Sequence, residues 1–369
     1  MNIALVATTT GSRRDAVLAV ARELGHRHRV TIYARRTNAE DKPRTRLASR
    51  VTLETIDAGP ARELADVDVV TYLPELSRYL MRTWSAEAPD VIHAHSWTSG
   101  LAAVAGSEGL GVPVTQTLRP SGPARVKLEQ ALGRRADAVI AGSGDEESAL
   151  IRLGVPRRSI AIIPVGVDVD RFRRQGAVAA RGAGQRLLYV GDLTPDKGAH
   201  TAVRALAAIP EAELVVAGGP DPAGLAADRD ARRLADLAAN LGVGDRVRLL
   251  GRVPRAQMPR LMRSADVVIT LPREAPGGIV ALEAMACGVP VIASAVGAHL
   301  DSVVDGVTGL LVPPDRPART ARLARRLLTD VTLRTALGYA GADRVRSRYS
   351  WERIGQELLR VYEDALIRS

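Results

Sequence analysis

The feature that most restricts the fold of this chain is a strand, a glycine loop, a helix and a second strand in succession between residues 266 and 294. Asp266 to Thr270 is a short β-type run, and an apolar segment from Ile279 to Cys287 predicts a helix directly after Gly277 and Gly278. The first backbone N–H groups of such a helix have no intrahelical partner and carry the positive end of its dipole. Because glycine lets a ligand approach the backbone closely, this layout predicts an anion site at the start of the helix.

The same stretch resembles the donor-site motif of the retaining glycosyltransferases of family 4, which have the GT-B fold. In that family two Glu residues, with seven residues between them, frame a Pro-x-Gly loop and the start of a helix. The second Glu binds the ribose of a sugar nucleotide, and loop amides bind its phosphates. The resemblance implies that Glu283 is the ribose ligand and that Gly277, Gly278, Ile279 and Val280 form the phosphate loop.

The first Glu of the motif, which contacts the donor sugar, is displaced in this chain. Eight residues separate Glu274 from Glu283, and an alignment on Gly278 places Ala275 at the expected position. Either the loop carries one extra residue or the sugar contact is missing. A backbone bulge that uses the conformational freedom of Gly277 would return Glu274 to the sugar.

Further matches to the family lie on either side of this motif. Relatives have a Gly-Arg-Leu sequence followed by a Lys-Gly pair, and the Arg and the Lys hold the donor diphosphate. Gly191 and Lys197 match, and Lys197 is one of only three lysines in the chain, but Asp192 replaces the Arg. Gly251 and Val253 match the segment whose backbone contacts the nucleobase.

The first half of the chain begins with an apolar strand from Asn2 to Ala7, a helix and a strand from Val30 to Tyr33, which predicts a βαβ unit and a parallel sheet. A G-x-G-x-x-G sequence does not follow the first strand, so a nicotinamide or flavin dinucleotide site is disfavoured.

The resemblance places Gly11 against the donor diphosphate. Arg13 is a candidate contact to an acidic acceptor or, alternatively, a surface charge. Residues 36–50 are polar, and an irregular loop or short helix is expected there.

Acceptor contacts are predicted from residues 89–97, which resemble the family's H-A-H-x-W segment at the end of a strand. His95 and Trp97 either face the acceptor or pack in the core. His93 and His95 point the same way on a strand, but a third metal ligand is not evident. Many relatives have a His where Arg119 stands. Arg119 stays protonated and cannot act as a base, although it could neutralise a phosphate.

Composition is that of a soluble globular protein with enough apolar residues for a large core. Hydrophobic residues make up 46% and charged residues 25% of the 369 residues, and a membrane span or signal peptide is not expected. The single cysteine, Cys287, fits a reducing cytoplasm and is expected to pack in the core. The net charge of +10 comes from arginines spread beside acids, and aromatic content is only 3%, so a nucleic-acid surface is disfavoured.

The predicted fold class is therefore α/β, with the GT-B arrangement of two Rossmann-like domains facing a cleft. We expect an acceptor-side domain over residues 1–170 and a nucleotide-sugar domain over 171–345. A C-terminal helix within 346–369 is expected to pack back on the first domain. Asp168 and Asp170 form a D-x-D pair, but they fall in the interdomain segment, so a metal role is not expected.

The resemblance implies a retaining, metal-independent hexosyltransferase in which Lys197, Glu274, Arg119 and His95 are the catalytic candidates. The co-substrate is a nucleotide-diphosphate sugar, with a UDP-sugar expected, and no other cofactor is implied. The acceptor is a small polar molecule, and actinobacterial relatives act on inositol phosphate or on aminocyclitols of antibiotics. The alternative is a catalytically impaired binding protein, suggested by the departures at Ala275, Arg119 and Asp192. Oligomeric state is left open.

Overall fold

The computed structural model describes residues 1–8, 12–119 and 125–368, except for the side chains of Ser12 and Arg13. The chain divides into two compact units. The first unit contains Met1–Pro164 together with Trp351–Ser369, and the second unit contains Val165–Ser350. The second unit is therefore inserted into the sequence of the first.

The first unit alternates strands and helices along most of its length. Its elements are β1 (Asn2–Ala7), α1 (Ser12–Leu24), β2 (Arg29–Arg35), β3 (Arg44–Ala48), β4 (Val51–Ile56), α2 (Asp66–Val69), α3 (Leu73–Ala86), β5 (Val91–Ala94), α4 (Trp97–Gly106), β6 (Val114–Thr117), α5 (Val126–Arg135), β7 (Ala138–Ala141), α6 (Gly144–Arg152) and β8 (Ile160–Ile162). The C-terminal helix of the chain, which also belongs to this unit, spans Trp351–Arg368.

The sheet of the first unit has the strand order β3-β4-β2-β1-β5-β6-β7-β8. Among its described pairs only β3 and β4 are antiparallel. Because β1 lies between β2 and β5, successive strands leave it in opposite directions. In open α/β sheets such a reversal of strand order marks the crevice in which ligands bind.

Both faces of this sheet are covered, which explains the continuous apolar character of β1. Ile3 and Leu5 point to the face that carries α1 and the C-terminal helix, where they pack in one cluster with Tyr362. Ala4 and Val6 alternate to the opposite face and join the cluster that contains Trp84 of α3.

An irregular loop or short helix was predicted for the polar segment 36–50, but the segment contains strand β3. This strand lies at the edge of the sheet, and its residues alternate between exposed and half-buried. Charged side chains are typical of edge strands, since they oppose pairing with other chains. The polar composition therefore concealed an edge strand.

The second unit repeats the α/β pattern with a smaller sheet. Its elements are β9 (Gln185–Val190), α7 (Ala199–Leu206), β10 (Ala212–Ala217), α8 (Arg229–Asn240), β11 (Val247–Gly251), α9 (Met258–Met262), β12 (Val267–Thr270), α10 (Ile279–Ala286), β13 (Val291–Ser294), α11 (Ala298–Ser302), β14 (Leu310–Val312), α12 (Pro317–Thr329) and α13 (Val331–Arg348). The C-terminal helix of the chain is α14 (Trp351–Arg368).

The six strands of the second unit are parallel in the order β11-β10-β9-β12-β13-β14. The strand order reverses between β9 and β12. We call this reversal the switch point of the second unit, and ligands are expected at the carboxyl ends of these two strands. Two apolar clusters cover the sheet, and neighbours on β9 divide between them, with Leu187 in one cluster and Leu188 in the other.

These observations confirm the predicted fold class. Each unit is a Rossmann-like α/β domain with a largely parallel sheet, and α14 packs against α1 in the first unit. The boundaries between the units follow Pro164 and Ser350. None of the helices formed by the described residues combines the length and apolar character that a membrane span requires.

Candidate functional site

The predicted donor residues of the second unit come from two loops at its switch point. Lys197 lies in the loop after β9, and Glu274 lies in the loop after β12. The two loops are connected by a backbone hydrogen bond of 2.8 Å, in which the N–H of Arg273 donates to the carbonyl oxygen of Asp196. The parallel sheet thus brings together residues that are far apart in sequence, at the edge where ligands bind in such sheets.

The start of α10 has the backbone geometry of an anion site. Gly278, the N-cap, has a φ of 58°, in the left-handed region that favours glycine. A Cβ placed on Gly278 would lie 3.2 Å from Cδ2 of His299, so the neighbouring helix α11 also limits the side chain at this position. The N–H groups of Ile279 and Val280 belong to the first turn of α10 and have no intrahelical acceptor.

The loop before α10 does not contain the left-handed bulge considered for Gly277. The left-handed residue is Gly278, and the φ angle of Gly277 is not in that region. Ala275 is buried, and its carbonyl oxygen accepts a 2.9 Å hydrogen bond from the N–H of Ala298. Glu274 is exposed, so its carboxylate is available to solvent or to a ligand.

Glu283, the predicted ribose ligand, is a buried carboxylate that is hydrogen-bonded to one cationic side chain among the described residues. Its exposed fraction is 1%, and a guanidinium nitrogen of Arg255 donates to its Oε1. Burial raises the pKa of Glu283, while Arg255 and Arg171 oppose this rise. Hydrogen bonds from described residues do not reach the other oxygen, Oε2. A ligand hydroxyl is the kind of donor that this oxygen lacks.

Arg255 was not predicted from the sequence. It follows β11, two residues after Val253, and its guanidinium lies over the ring of Phe172 at 4.8 Å from the ring centroid. Its side chain is 56% exposed, so it connects the buried carboxylate to solvent. The available signal was Glu283 itself, because a carboxylate in apolar surroundings requires a partner.

Lys197 is positioned by a rigid loop. Its Nζ lies 2.8 Å from Oδ2 of Asp196, and its side chain remains partly exposed. The hydroxyl of the buried Tyr189 lies 2.9 and 3.0 Å from the backbone carbonyl oxygens of Asp192 and Lys197, which share its single hydrogen. These bonds fix the loop that begins at Gly191 before any ligand binds.

Asp192, which stands where relatives have the diphosphate-binding Arg, does not pair with the nearby Arg273. Arg273 instead forms an ion pair with Asp315, with 2.9 Å between Nη2 and Oδ2. Asp192 is exposed, and within the part of the chain that the structure describes its carboxylate forms no ion pair. The carboxylate is therefore open to solvent.

The predicted nucleobase segment is held by backbone hydrogen bonds. The carbonyl oxygen of Gly251 accepts from the N–H of Gly218 at 2.9 Å, and the N–H of Arg252 donates to Pro220 at 2.7 Å. Val253 is half-buried against the apolar cluster that contains Phe172. The segment thus presents a fixed backbone at the carboxyl end of β11.

In the first unit, His93 of β5 and His95 directly after it point the same way, as predicted, but have different surroundings. His93 is buried, with its ring nitrogens 2.6 Å from the hydroxyl of Tyr362 and 2.7 Å from Thr117 Oγ1. The ring of His95 stacks on that of His93, with 3.9 Å between centroids, and its Nε2 is buried without a partner in the described structure. Burial and Arg119 lower the pKa of His95 to about 3, so its imidazole is neutral at pH 7.

Arg119 lies at the same edge of the sheet, and the structure adds Glu146 to this group. The distance between Arg119 Nε and Glu146 Oε1 is 3.7 Å. Glu146 also accepts a 2.6 Å hydrogen bond from the N–H of Gly142. Burial raises the pKa of Glu146, and Arg119 opposes the rise. The sequence signal for Glu146 was its place in the first turn of α6, three residues after the N-cap Ser143.

Trp97 is a core residue at the start of α4. It is 8% exposed and packs with Leu118 and Leu132. Gly11 and the side chain of Arg13 lie outside the described residues, so their predicted contacts remain predictions. Across residues 1–8, 12–119 and 125–368, groups of three or more potential metal ligands are not found.

Comparisons with known proteins agree with this arrangement. Residues 172–344 match the family described as "Glycosyl transferases group 1", and residues 11–166 match "Glycosyl transferase 4-like domain". A D-inositol 3-phosphate glycosyltransferase of Salinispora arenicola is 34% identical, and the alignment covers 96% of this chain and 88% of that protein. The protein of the same name from Frankia alni is 33% identical, with 91% and 90% covered.

A solved structure shares the fold over the whole chain. Sucrose-phosphate synthase from Thermosynechococcus elongatus superimposes with a TM-score of 0.87 and 27% sequence identity. The match covers 100% of this chain and 99% of that protein.

Removal of Arg255 should destabilise the second unit. Arg255→Ala leaves the carboxylate of Glu283 buried without its counter-ion, and we expect the free energy of unfolding at pH 7 to fall by about 1–2 kcal/mol, discounted for the exposure of Arg255. The matched control is Arg252→Ala, because Arg252 and Asp221 form a 3.6 Å ion pair in which both side chains are exposed. Urea denaturation measures both effects. Equal stability of the two variants would contradict a structural role for Arg255.

His95 should make stability depend on pH. Its folded-state pKa of about 3 lies below the ordinary value of 6.5, so the unfolded chain binds more protons. The stability that neutral His95 contributes is therefore present above pH 6.5 and is lost progressively toward pH 3, by up to about 1.4 kcal/mol per pH unit. We expect His95→Gln to flatten the decline in unfolding free energy between pH 6.5 and 4. His26→Gln, at an exposed position, is the control, and identical slopes for the two variants would refute the assignment.

Proposed function

The chain belongs to the glycosyltransferases of family 4, and from that premise we propose that it transfers a hexose or N-acetylhexosamine to an inositol phosphate with retention of anomeric configuration. The donor is a nucleotide-diphosphate sugar, for which we propose a UDP-sugar. The observation that carries the proposal is the grouping at one switch point of Lys197, the first turn of α10 and the buried carboxylate of Glu283.

In the proposed donor complex each group has one role. Glu283 accepts hydrogen bonds from the ribose hydroxyls through the oxygen that Arg255 leaves unused. The N–H groups of Gly278, Ile279 and Val280 bind the diphosphate together with Lys197, whose ammonium exchanges Asp196 for phosphate oxygens. The backbone at Gly251 and Val253 contacts the nucleobase. The cationic side chain of Lys197 and the positive end of the α10 dipole, both directed at the diphosphate, support this arrangement.

The proposed reaction uses no protein nucleophile. The bond between the anomeric carbon and the diphosphate oxygen breaks, and the acceptor hydroxyl bonds to the same face of that carbon. The hydroxyl proton passes to an oxygen of the departing diphosphate, which balances the step. Lys197 and the α10 amides stabilise the charge that develops on this leaving group, which is usually a large catalytic contribution. Glu274 contacts the sugar hydroxyls.

The acceptor is assigned to the edge of the first sheet. Neutral His95 accepts a hydrogen bond from an acceptor hydroxyl, and Arg119 binds the acceptor phosphate. The names of the Salinispora and Frankia relatives favour an inositol phosphate over the aminocyclitol of an antibiotic. Similarity to these enzymes over most of the chain also favours a working enzyme over an impaired binding protein. We propose a metal-independent reaction. Lys197 and the loop amides neutralise the departing diphosphate, which is the role that a divalent cation would otherwise fill.

Nucleotide binding tests the donor site directly. We expect the matching member of a panel of UDP, GDP, ADP and TDP sugars to raise the unfolding free energy by about 2.7 kcal/mol at a hundred times its dissociation constant. Lys197→Gln and Glu283→Gln should each weaken calorimetric binding at least tenfold. Lys197→Gln removes the cation that faces the diphosphate, and Glu283→Gln removes the charged acceptor of the ribose hydroxyls. Lys127→Gln, at an exposed lysine elsewhere, should leave it unchanged. Parental affinity in both site variants would refute the assignment.

Acceptor charge provides a second test. With inositol 3-phosphate as acceptor, Arg119→Gln should raise KM at least tenfold, because the cation that faces the phosphate is lost. With unphosphorylated inositol the same substitution should have little effect on KM. Arg152→Gln, at an exposed arginine of the same unit, is the control. If Arg119→Gln changes both KM values equally, Arg119 does not bind the phosphate. The assay repeated with excess EDTA tests metal independence, and loss of activity restored by Mg²⁺ or Mn²⁺ would contradict it.

A further inference from the structure

A second candidate binding site lies in the second unit, at the opposite edge of the sheet from the donor loops. A cavity of about 290 Å³ opens beside Asp266, which precedes β12, and Pro290, which precedes β13. Because these strands are parallel, their N-terminal ends point away from the switch point, and the four residues of β12 alone span about 13 Å. The cavity is therefore distinct from the proposed donor site.

Three arginines give this cavity a strongly positive lining. Arg174, Arg263 and Arg334 contribute to it, and Asp266 is its acidic residue. The Asp266 carboxylate is already bound, because its Oδ2 accepts from Arg181 Nη2 and from the N–H of Arg186, both at 2.8 Å. Asp266 therefore does not neutralise the arginines that line the cavity.

Arg263 donates to the carbonyl oxygens of Ala177 and Arg173, but Arg174 and Arg334 keep most of their donor groups available to a ligand. Arg334 donates through Nη1 to the carbonyl oxygens of Leu327 and Leu328, and within the described structure its Nε and Nη2 have no acceptor. Arg174 lies over the ring of Tyr339 at 3.5 Å from the centroid, and hydrogen bonds and ion pairs of its guanidinium are absent from the described part of the chain. Stacking holds this guanidinium in place while its five N–H groups stay unused.

Close backbone packing supports the position of Arg174. A Cβ placed on Gly288 would lie 2.5 Å from Cγ of Arg174, and one placed on Gly338 would lie 2.2 Å from the carbonyl oxygen of Gly288. Glycine at both positions lets α13 and the stem of Arg174 lie directly on the turn between α10 and β13. The adjacent Cys287 is not a reactive group of the cavity, because burial raises the pKa of its thiol to about 12.

We propose that this cavity binds a small phosphorylated metabolite. The planar guanidinium groups of Arg174 and Arg334 match the geometry of phosphate oxygens. A phosphoryl dianion carries enough negative charge to neutralise more than one arginine. The volume is at the lower end of the range for small-molecule sites. Val178 and the ring of Tyr339 supply apolar surface for the organic part of the ligand. This proposal does not depend on the identity of the donor or the acceptor.

Calorimetric titration of the full chain with inorganic phosphate and with glucose 6-phosphate tests the proposal. We expect saturable binding of both probes, tighter for glucose 6-phosphate because its organic part adds contacts. Arg174→Gln removes a guanidinium that forms no hydrogen bond, and Thr335→Glu adds a negative charge at an exposed residue that lines the cavity. Each should weaken binding at least tenfold without changing the melting temperature of the free protein.

Two controls separate this site from other cationic surfaces. Arg325→Gln changes an exposed arginine outside the cavity, and Lys197→Gln changes the proposed donor site. Binding of both probes at the cavity should be unchanged in these two variants, because Lys197→Gln affects only binding at the donor site. Absence of binding to the parent protein, loss of binding in Lys197→Gln, or parental affinity in both cavity variants would overturn the proposal.

Discussion

The whole arrangement depends on one constraint, which is that parallel strands joined by helices present all their carboxyl ends at a single edge. At the reversal of strand order in the second unit, this edge collects Lys197 from one loop and the start of α10 from another. The same geometry in the first unit brings His95 and Arg119 together after neighbouring strands β5 and β6. Ligand-binding chemistry in this chain therefore follows from sheet topology before any individual side chain is considered.

Both edges combine a buried carboxylate with a partly exposed arginine. Glu283 has Arg255, and Glu146 has Arg119. Burial alone would favour the protonated acid, and the arginine opposes this, so the charge state of each carboxylate depends on a side chain that solvent or a ligand can reach. An anionic ligand that attracts the arginine would also change the environment of the acid. Binding and proton affinity are thus coupled at each edge.

Much of the fold was predictable because alternating apolar runs and glycine loops determine where parallel strands and helices lie. The first turn of α10 and the burial of Glu283 also followed from local sequence. Arg255 and Glu146 did not, since their partners lie 28 and 27 residues away and only the folded sheet brings each pair together. The edge strand β3 was missed because its polar residues lack the apolar alternation of a buried strand. The sequence could not distinguish which of the two adjacent glycines takes the left-handed angle, and the structure gives it to Gly278.

The insertion of the second unit into the first has a consequence for how the chain is made. Ile3 and Leu5 enter their cluster together with residues of α14, and the His93 ring is bonded to Tyr362, 269 residues later. A ribosome must therefore complete the entire second unit before the first can close its own core. During synthesis the part of the first sheet's face that α14 covers stays exposed, while the contiguous second unit can fold as soon as it emerges. The first unit thus completes its core only after the whole of the second unit has been synthesised.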